Sequence, residues 1–281
     1  MFPILKKEDL SPGVVLMEVS APLVAAKAQA GQFIILRLDE EGERIPLTVA
    51  DFDRARGTVT IVFLVVGTTT TRLAAMKAGD FLASFVGPLG HPTHVERYGT
   101  VVMVGGGLGI APIYPIARAM REAGNNVVSI IGARNEGLLF YVDRMESASD
   151  RLLIATDDGS RGFRGFVSQL LQQELAAGLK PDLVMAIGPV VMMKVMCNLT
   201  RPLGLKTMVS LNPIMVDGTG MCGACRVTVG GATRFVCVDG PDFDGHLVDF
   251  EELVQRQRTF LDEEKRSLDA YRNSCAGGCR R

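Results

Sequence analysis

The 281-residue chain is 47% hydrophobic and balances 30 basic against 31 acidic residues, for a net charge of −1. That length and apolar content suit two or three packed domains, and the charge balance excludes the basic surface that a nucleic-acid partner calls for. The opening MFPILKKEDL lacks an apolar segment of signal-peptide length, and the long uncharged stretch Thr100–Ala117 holds four glycines and two prolines that a lipid-exposed helix disfavours, so a cytoplasmic protein with no membrane span is expected.

Up to about Tyr98 the chain reads as all-β. Short β-rich runs at Val14–Val19, Gln32–Leu38, Thr58–Val66 and Asp80–Val86 are divided by Gly, Pro and charged turns, the pattern of a small antiparallel barrel. Within it, Arg44-Ile-Pro46-Leu47-Thr48 offers an arginine able to grip a diphosphate, a rigid proline and a hydroxyl, although a plain turn and strand start would read the same way. Gly67-Thr68-Thr69-Thr70 is a polar turn or a phosphate contact, and Gly87-Pro88-Leu89-Gly90 a loop at the barrel's end.

From Thr100 the rhythm changes to strands alternating with helices. Strands are expected at Val101–Val104, Val127–Ala133, Leu152–Ala155, Leu183–Ile187 and Thr207–Ser210. Helices are expected over Ile110–Glu122, Leu138–Ser147, Phe166–Ala177 and Val191–Leu199. This is a doubly wound parallel α/β sheet, whose ligands bind at the carboxyl ends of the strands. Three loops fall at that edge. Gly105, Gly107 and Gly109 let backbone and a helix start approach a diphosphate, although the spacing departs from G-x-G-x-x-G. Thr156, Asp157 and Asp158 offer groups to ribose hydroxyls, and Gly188 with Met192 follows the fourth strand. Each loop alone reads as a tight turn; together they point to a nucleotide pocket.

After Ser210 the pattern stops, and residues 211–245 read as loop. They hold Asp217-Gly-Thr-Gly-Met-Cys222-Gly-Ala-Cys225, then Cys237. Two cysteines two apart in a glycine-rich loop, with a third nearby, suit a small iron–sulfur cluster or a zinc ion. Asp217 is the candidate fourth ligand in the first case and His246 in the second. Phe250–Tyr271 reads as a charged helix, Cys275-x3-Cys279 as a mobile tail, and Cys197 as a core residue.

The order barrel, nucleotide sheet, cysteine loop, with the motifs just quoted, resembles the ferredoxin-reductase-like flavoproteins, in the branch that contains the electron-transfer subunit of dihydroorotate dehydrogenase. The resemblance implies an FAD-binding barrel over 1–98, an NAD(P)-binding α/β domain over 99–210, and a 2Fe–2S region with a C-terminal helix over 211–281. It implies flavin contacts from Arg44, Pro46, Leu47 and Thr48, from Val62, Phe63 and Leu64 beside the ring, and from Thr69 and Thr70 at the phosphates, with Thr69 where the family usually has glycine. The cluster ligands would be Asp217, Cys222, Cys225 and Cys237. Aspartate in place of the branch's first cysteine is similar to the small subunits of NADH-dependent ferredoxin:NADP oxidoreductases.

That resemblance implies a flavoprotein oxidoreductase subunit. NAD(H) exchanges hydride with FAD, and single electrons pass through the 2Fe–2S cluster to or from a larger subunit with a second flavin and 4Fe–4S clusters, in a heterodimer. Ferredoxin and NADP(H) would take part through that subunit. Asp157 and Asp158 favour NAD over NADP, whereas Arg134 could accept a 2′-phosphate. Two rivals stand: an electron-transfer subunit of dihydroorotate dehydrogenase, and a non-catalytic zinc-bearing interaction module.

Overall fold

A computed structural model describes residues 1–276. Seven strands form the first unit: β1 (Phe2–Ser11), β2 (Val14–Ser20), β3 (Phe33–Arg37), β4 (Ile45–Asp53), β5 (Thr58–Leu64), β6 (Phe81–Leu82) and β7 (Ser84–Leu89), with helices α1 (Pro22–Ala25) and α2 (Thr68–Ala75) between them. The order is β6-β1-β2-β5-β4-β3-β7, antiparallel at every pairing. The two edge strands are separated in sequence by Ala83 alone, so the chain steps from one edge to the other and nearly closes the barrel. β1 and β4 were not expected as full strands. Charged and polar residues interrupt both, and pairing on two sides carries them.

Period-two alternation divides the barrel's faces. Val15, Met17, Val19, Ile34, Leu36, Ile61 and Phe63 fill the barrel interior. Their neighbours Val14, Leu16, Ala50 and Val62 turn outward and are buried against the second unit. A third outward pair, Phe33 and Ile35, packs towards the C-terminal region.

The second unit comprises β8 (Thr100–Gly106), α3 (Ile110–Glu122), β9 (Asn126–Ala133), α4 (Val142–Ser147), β10 (Arg151–Thr156), β11 (Phe163–Arg164), α5 (Val167–Ala176), β12 (Leu183–Ile187), α6 (Val190–Thr200) and β13 (Thr207–Ser210). The sheet runs β11-β10-β9-β8-β12-β13, all parallel, and reverses direction of growth between β8 and β12. Such a reversal opens a crevice at the strand ends. The expected helix over Leu138–Ser147 begins only at Val142, because Leu139, Phe140 and Tyr141 are buried in an irregular segment and Tyr141 takes φ 56°.

Residues 211–245, expected as loop, carry ordered structure. β14 (Arg226–Val229) and β15 (Ala232–Phe235) form a hairpin, followed by α7 (Val236–Asp239) and β16 (Asp242–Asp244). The hairpin turns on Gly230 and Gly231, at φ 60° and 77°, the left-handed pair that a two-residue turn needs. β16 adds antiparallel to β13 and finishes the nucleotide sheet. The expected C-terminal helix is two: α8 (Phe250–Gln257), capped by Asp249, and α9 (Leu261–Ala276). Among the described residues no helix is long and apolar enough to cross a membrane.

Candidate functional site: a cleft and an iron–sulfur loop

One cavity of about 930 Å³ lies between barrel and sheet, and the C-terminal region closes its end. The barrel gives it Pro46, Leu47 and Thr48 from the start of β4, and Val62 and Leu64 from β5. The sheet gives Gly107, Gly109, Asp157 and Gly188 from the turns at the carboxyl ends of strands, and Met192 from the first turn of α6. Ten of the expected cofactor residues therefore share one cleft.

Glycine is required at the switch point. A Cβ on Gly109 would lie 2.0 Å from the Ile187 carbonyl oxygen, and one on Gly188 would lie 2.9 Å from that of Gly106. The β8 and β12 loops thus touch backbone to backbone, with the Met192 sulfur laid across Gly106. Gly107 differs: it holds φ 55° with open space where a Cβ would be, so its backbone is bare to the cleft ahead of α3. Gly105 does not face the cleft; a Cβ there would press on Ile113 and Ile110.

Other expected residues sit elsewhere. Phe63 is fully buried inside the barrel, because alternation turns it away from the side that Val62 and Leu64 present. Thr156 is buried, and its hydroxyl donates to the Arg161 carbonyl and accepts the Arg161 N–H, pinning its own loop. Asp158 caps a local turn by accepting from the N–H and hydroxyl of Ser160, which hold its carboxyl below the ordinary range. Gly67–Thr70 is not a free turn but the start of α2. There Thr70 Oγ1 accepts the N–H groups of Val66 and Gly67 at 3.0 Å each, and Thr69 Oγ1 donates to Glu43. Arg44, next in the chain to that Glu43, is exposed, with no ion pair among the described residues.

Sequence reasoning missed a wall of the cleft. Ser210, Leu211, Asn212, Pro213, Met215 and Pro241 close the end nearest the C-terminal region, and Phe33 lines the barrel side. The Gly240-Pro241 pair was visible, but nothing local says that this turn folds back onto the sheet.

The loop from Asp217 continues directly from that wall. Asp217 organises it: Oδ2 accepts from the N–H groups of Met221 and Cys222 and from the Thr219 hydroxyl, and Oδ1 accepts from Thr219 N–H and Cys222 Sγ at 3.2 and 3.3 Å. Burial raises this carboxyl, but those donors outweigh it and hold it far below the ordinary range. The hairpin explains the remaining spacing. Arg226 and Phe235 pair at its open end, so Cys225 just before and Cys237 just after come together, with Cys237 N–H donating to Cys225 Sγ at 3.4 Å. Burial, then the neighbouring Cys225, pushes the Cys237 thiol up to about 12.

The four candidate ligands thus form two pairs: Asp217 with the exposed Cys222, and the buried Cys225 with Cys237. Among the described residues no three such side chains converge on one point. A zinc ion needs four donors at one centre, whereas the two irons of a 2Fe–2S cluster take two protein donors each. His246, the alternative zinc ligand, is turned away, with Nε2 3.0 Å from Thr200 Oγ1. The donor set fits the cluster and not the zinc knuckle.

Comparison with known proteins agrees. Residues 103–198 match the oxidoreductase NAD-binding domain, and residues 212–249 match the iron-sulfur cluster binding domain of dihydroorotate dehydrogenase B. A ferredoxin NADP+ reductase from Neisseria gonorrhoeae shares the fold at 23% identity and a TM-score of 0.61, over 72% of this chain and 90% of that one. Fold and site together define an oxidoreductase component of the ferredoxin-reductase-like class. A structure reported as insights into flavin-based electron bifurcation via the NADH-dependent reduced ferredoxin-NADP oxidoreductase is 46% identical, with a TM-score of 0.92 over 96% of this chain and 98% of that one. The dihydroorotate dehydrogenase B (NAD(+)), electron transfer subunit homolog of Thermotoga maritima is 48% identical over 268 residues, 95% of this chain and 94% of its own. The electron transfer subunit proper of Geobacillus thermodenitrificans is 34% identical over 236 residues, 81% of this chain and 89% of its own. The chain belongs to the family of dihydroorotate dehydrogenase B electron transfer subunits and their homologues.

Proposed function

We propose that the chain is the NAD(H)-linked electron-transfer subunit of an electron-bifurcating NADH-dependent ferredoxin:NADP oxidoreductase. One observation carries this: the cleft that joins barrel to nucleotide sheet ends in the wall 210–215, and the cluster loop begins two residues later at Asp217. That adjacency supports a path from nucleotide through flavin to iron.

Gly107 and Gly109, with the amide end of α3, receive the nucleotide diphosphate. Asp157 accepts from ribose hydroxyls, and its charge disfavours a 2′-phosphate. Pro46, Leu47, Thr48, Val62 and Leu64 form the apolar bed for an isoalloxazine ring, Thr48 adding one hydroxyl, and Arg44 with the start of α2 receives the flavin diphosphate. Bound there, FAD supplies the conversion between hydride and single electrons. Asp217, Cys222, Cys225 and Cys237 hold the two irons, the cysteine pair inward and the Asp217–Cys222 pair at the surface, facing the larger partner subunit that carries a second flavin and 4Fe–4S clusters. Purified protein should show flavin and iron–sulfur absorption that bleaches on adding NADH, and should co-purify with that subunit. A colourless protein with one zinc per chain overturns the reading, and a dihydroorotate-oxidising partner reassigns the complex.

A further inference from the structure

A buried carboxylate stands behind the cleft wall and plays no part in the site described above. Asp242 in β16 lies opposite Ser210 in the β13–β16 ladder. Its Oδ2 accepts the Thr93 hydroxyl at 2.5 Å, while Oδ1 is buried with no hydrogen-bond partner among the described residues. A bare carboxylate oxygen away from water is costly, and such groups call for an explanation. The Ser210 hydroxyl is near enough to ease the charge without closing a full hydrogen bond on Oδ1, and Ser210 lines the cleft.

The pair lies on the flavin side of that cleft. Pro241, the residue before Asp242, also lines it. A Cβ on Gly90 would meet the Phe33 ring at 2.8 Å and Pro241 at 3.0 Å, so this segment abuts Phe33, which pairs with Thr48 across β3 and β4. The groups that face Asp242 are uncharged: Thr93 from the linker after the barrel and Ser210 from β13. Of the titratable residues on the same segments, His91, His94, Glu96, Arg97 and Asp244 are exposed, Tyr98 bonds to His94, and His246 bonds to Thr200.

The chemistry leaves a proton to place. A hydride is two electrons and one proton; when both electrons leave singly through iron, the proton stays behind and needs a base. We propose that Asp242, reached through the Ser210 hydroxyl, takes this proton as the electrons leave and returns it when they come back. For each hydride, the bond that holds its hydrogen on the reduced flavin breaks, and its two electrons pass one at a time through the cluster to the partner subunit. The proton goes to the Ser210 oxygen as the Ser210 hydroxyl gives its own proton to Asp242, so one O–H bond forms at Asp242. That bond breaks again when the proton is given to water or returned. Burial, against the pull of Thr93 and Ser210, pushes this carboxyl up to about 6, where it exchanges protons near neutrality.

The inference rests on the flavin reading above. The test is redox-induced infrared difference spectroscopy on flavin- and iron-loaded protein, with the flavin midpoint potential followed against pH. Wild type should show a carboxylic-acid carbonyl band that changes with redox state, and a bend in the potential near pH 6. Asp242→Asn, which keeps the volume and an acceptor for Thr93, should lose both. Ser210→Ala, which leaves Asp242 and its Thr93 bond in place, should lose the band from the redox-induced spectrum while a pH-induced infrared titration still shows the Asp242 carboxyl. A merely structural role for Asp242 would move neither signal. Band and bend persisting in Asp242→Asn at normal flavin and iron content overturn this inference alone. Wild-type protein without flavin overturns it together with the flavin reading.

Discussion

At the scale of single residues, the decisive positions are two aspartates in opposite circumstances. Asp217 is surrounded by donors, so its carboxylate is a ready anionic ligand. Replacing it with alanine should lose or weaken the cluster's optical and spin-resonance signals while flavin content holds; unchanged signals would remove Asp217 from the ligand set. Asp242 has the reverse environment. Its folded pKa of about 6 lies above the ordinary aspartate value of 3.8, so the folded state holds a proton more tightly than the unfolded chain. The stability this gives is complete below about pH 4 and is lost as pH rises through 6. Asp242→Asn should therefore match wild type in urea unfolding at pH 4 and exceed it at pH 8 by roughly 2–3 kcal/mol. The role of Asp217 was readable because its place in the motif marks it. That of Asp242 was not, because an Asp in a Gly-Pro-Asp turn reads as exposed, and only the pairing of β16 with β13 buries it.

At the scale of elements, the alternating pattern of residues 100–210 was legible in nearly every strand and helix, since long apolar strands and amphipathic helices announce themselves. The failures have common causes. α2 was hidden behind four threonines, of which Thr70 and Thr71 bond back to its first turn while Thr68 and Thr69 bond to Ser267 and Glu43. β14 and β15 were hidden because each is only four residues long, and the Gly230–Gly231 turn was passed over although it was the signal that joins Cys225 to Cys237. Among the glycine loops, only geometry separates packing from binding. Gly107→Ala puts a Cβ into the open cleft and should weaken NADH binding about tenfold, the loss of one good backbone contact (~1.4 kcal/mol). The left-handed backbone adds about 1–2 kcal/mol of instability. Calorimetric titration with NADH measures the first, and the cluster spectrum should stay unchanged.

At the scale of the whole molecule, the barrel and the nucleotide sheet are held in register by a charged contact as well as by apolar packing. Arg118 of α3 donates to Asp51 of β4 at 2.8 Å, Arg144 of α4 stands 3.8 Å from the same carboxylate, and both guanidinium groups lie over Tyr114 or Tyr141. These side chains are partly exposed, so their loss should cost only about 1 kcal/mol of stability. Its effect on geometry is larger, because hydride transfer depends steeply on the gap between donor and acceptor. Asp51→Ala should slow flavin reduction in stopped flow while leaving NADH affinity near wild type; an unchanged rate would show that apolar packing alone sets the spacing.

The antiparallel edge strand β16 ties two chapters of the chain's assembly together. The nucleotide sheet cannot complete its last hydrogen-bonded row until the polypeptide has passed through the proposed iron ligands and come back. Late-arriving partners of this kind fold with the region that delivers them. Stripping iron should therefore loosen amides at Val209 and Phe243 in deuterium exchange, while β8 and β9 in the middle of the sheet stay protected.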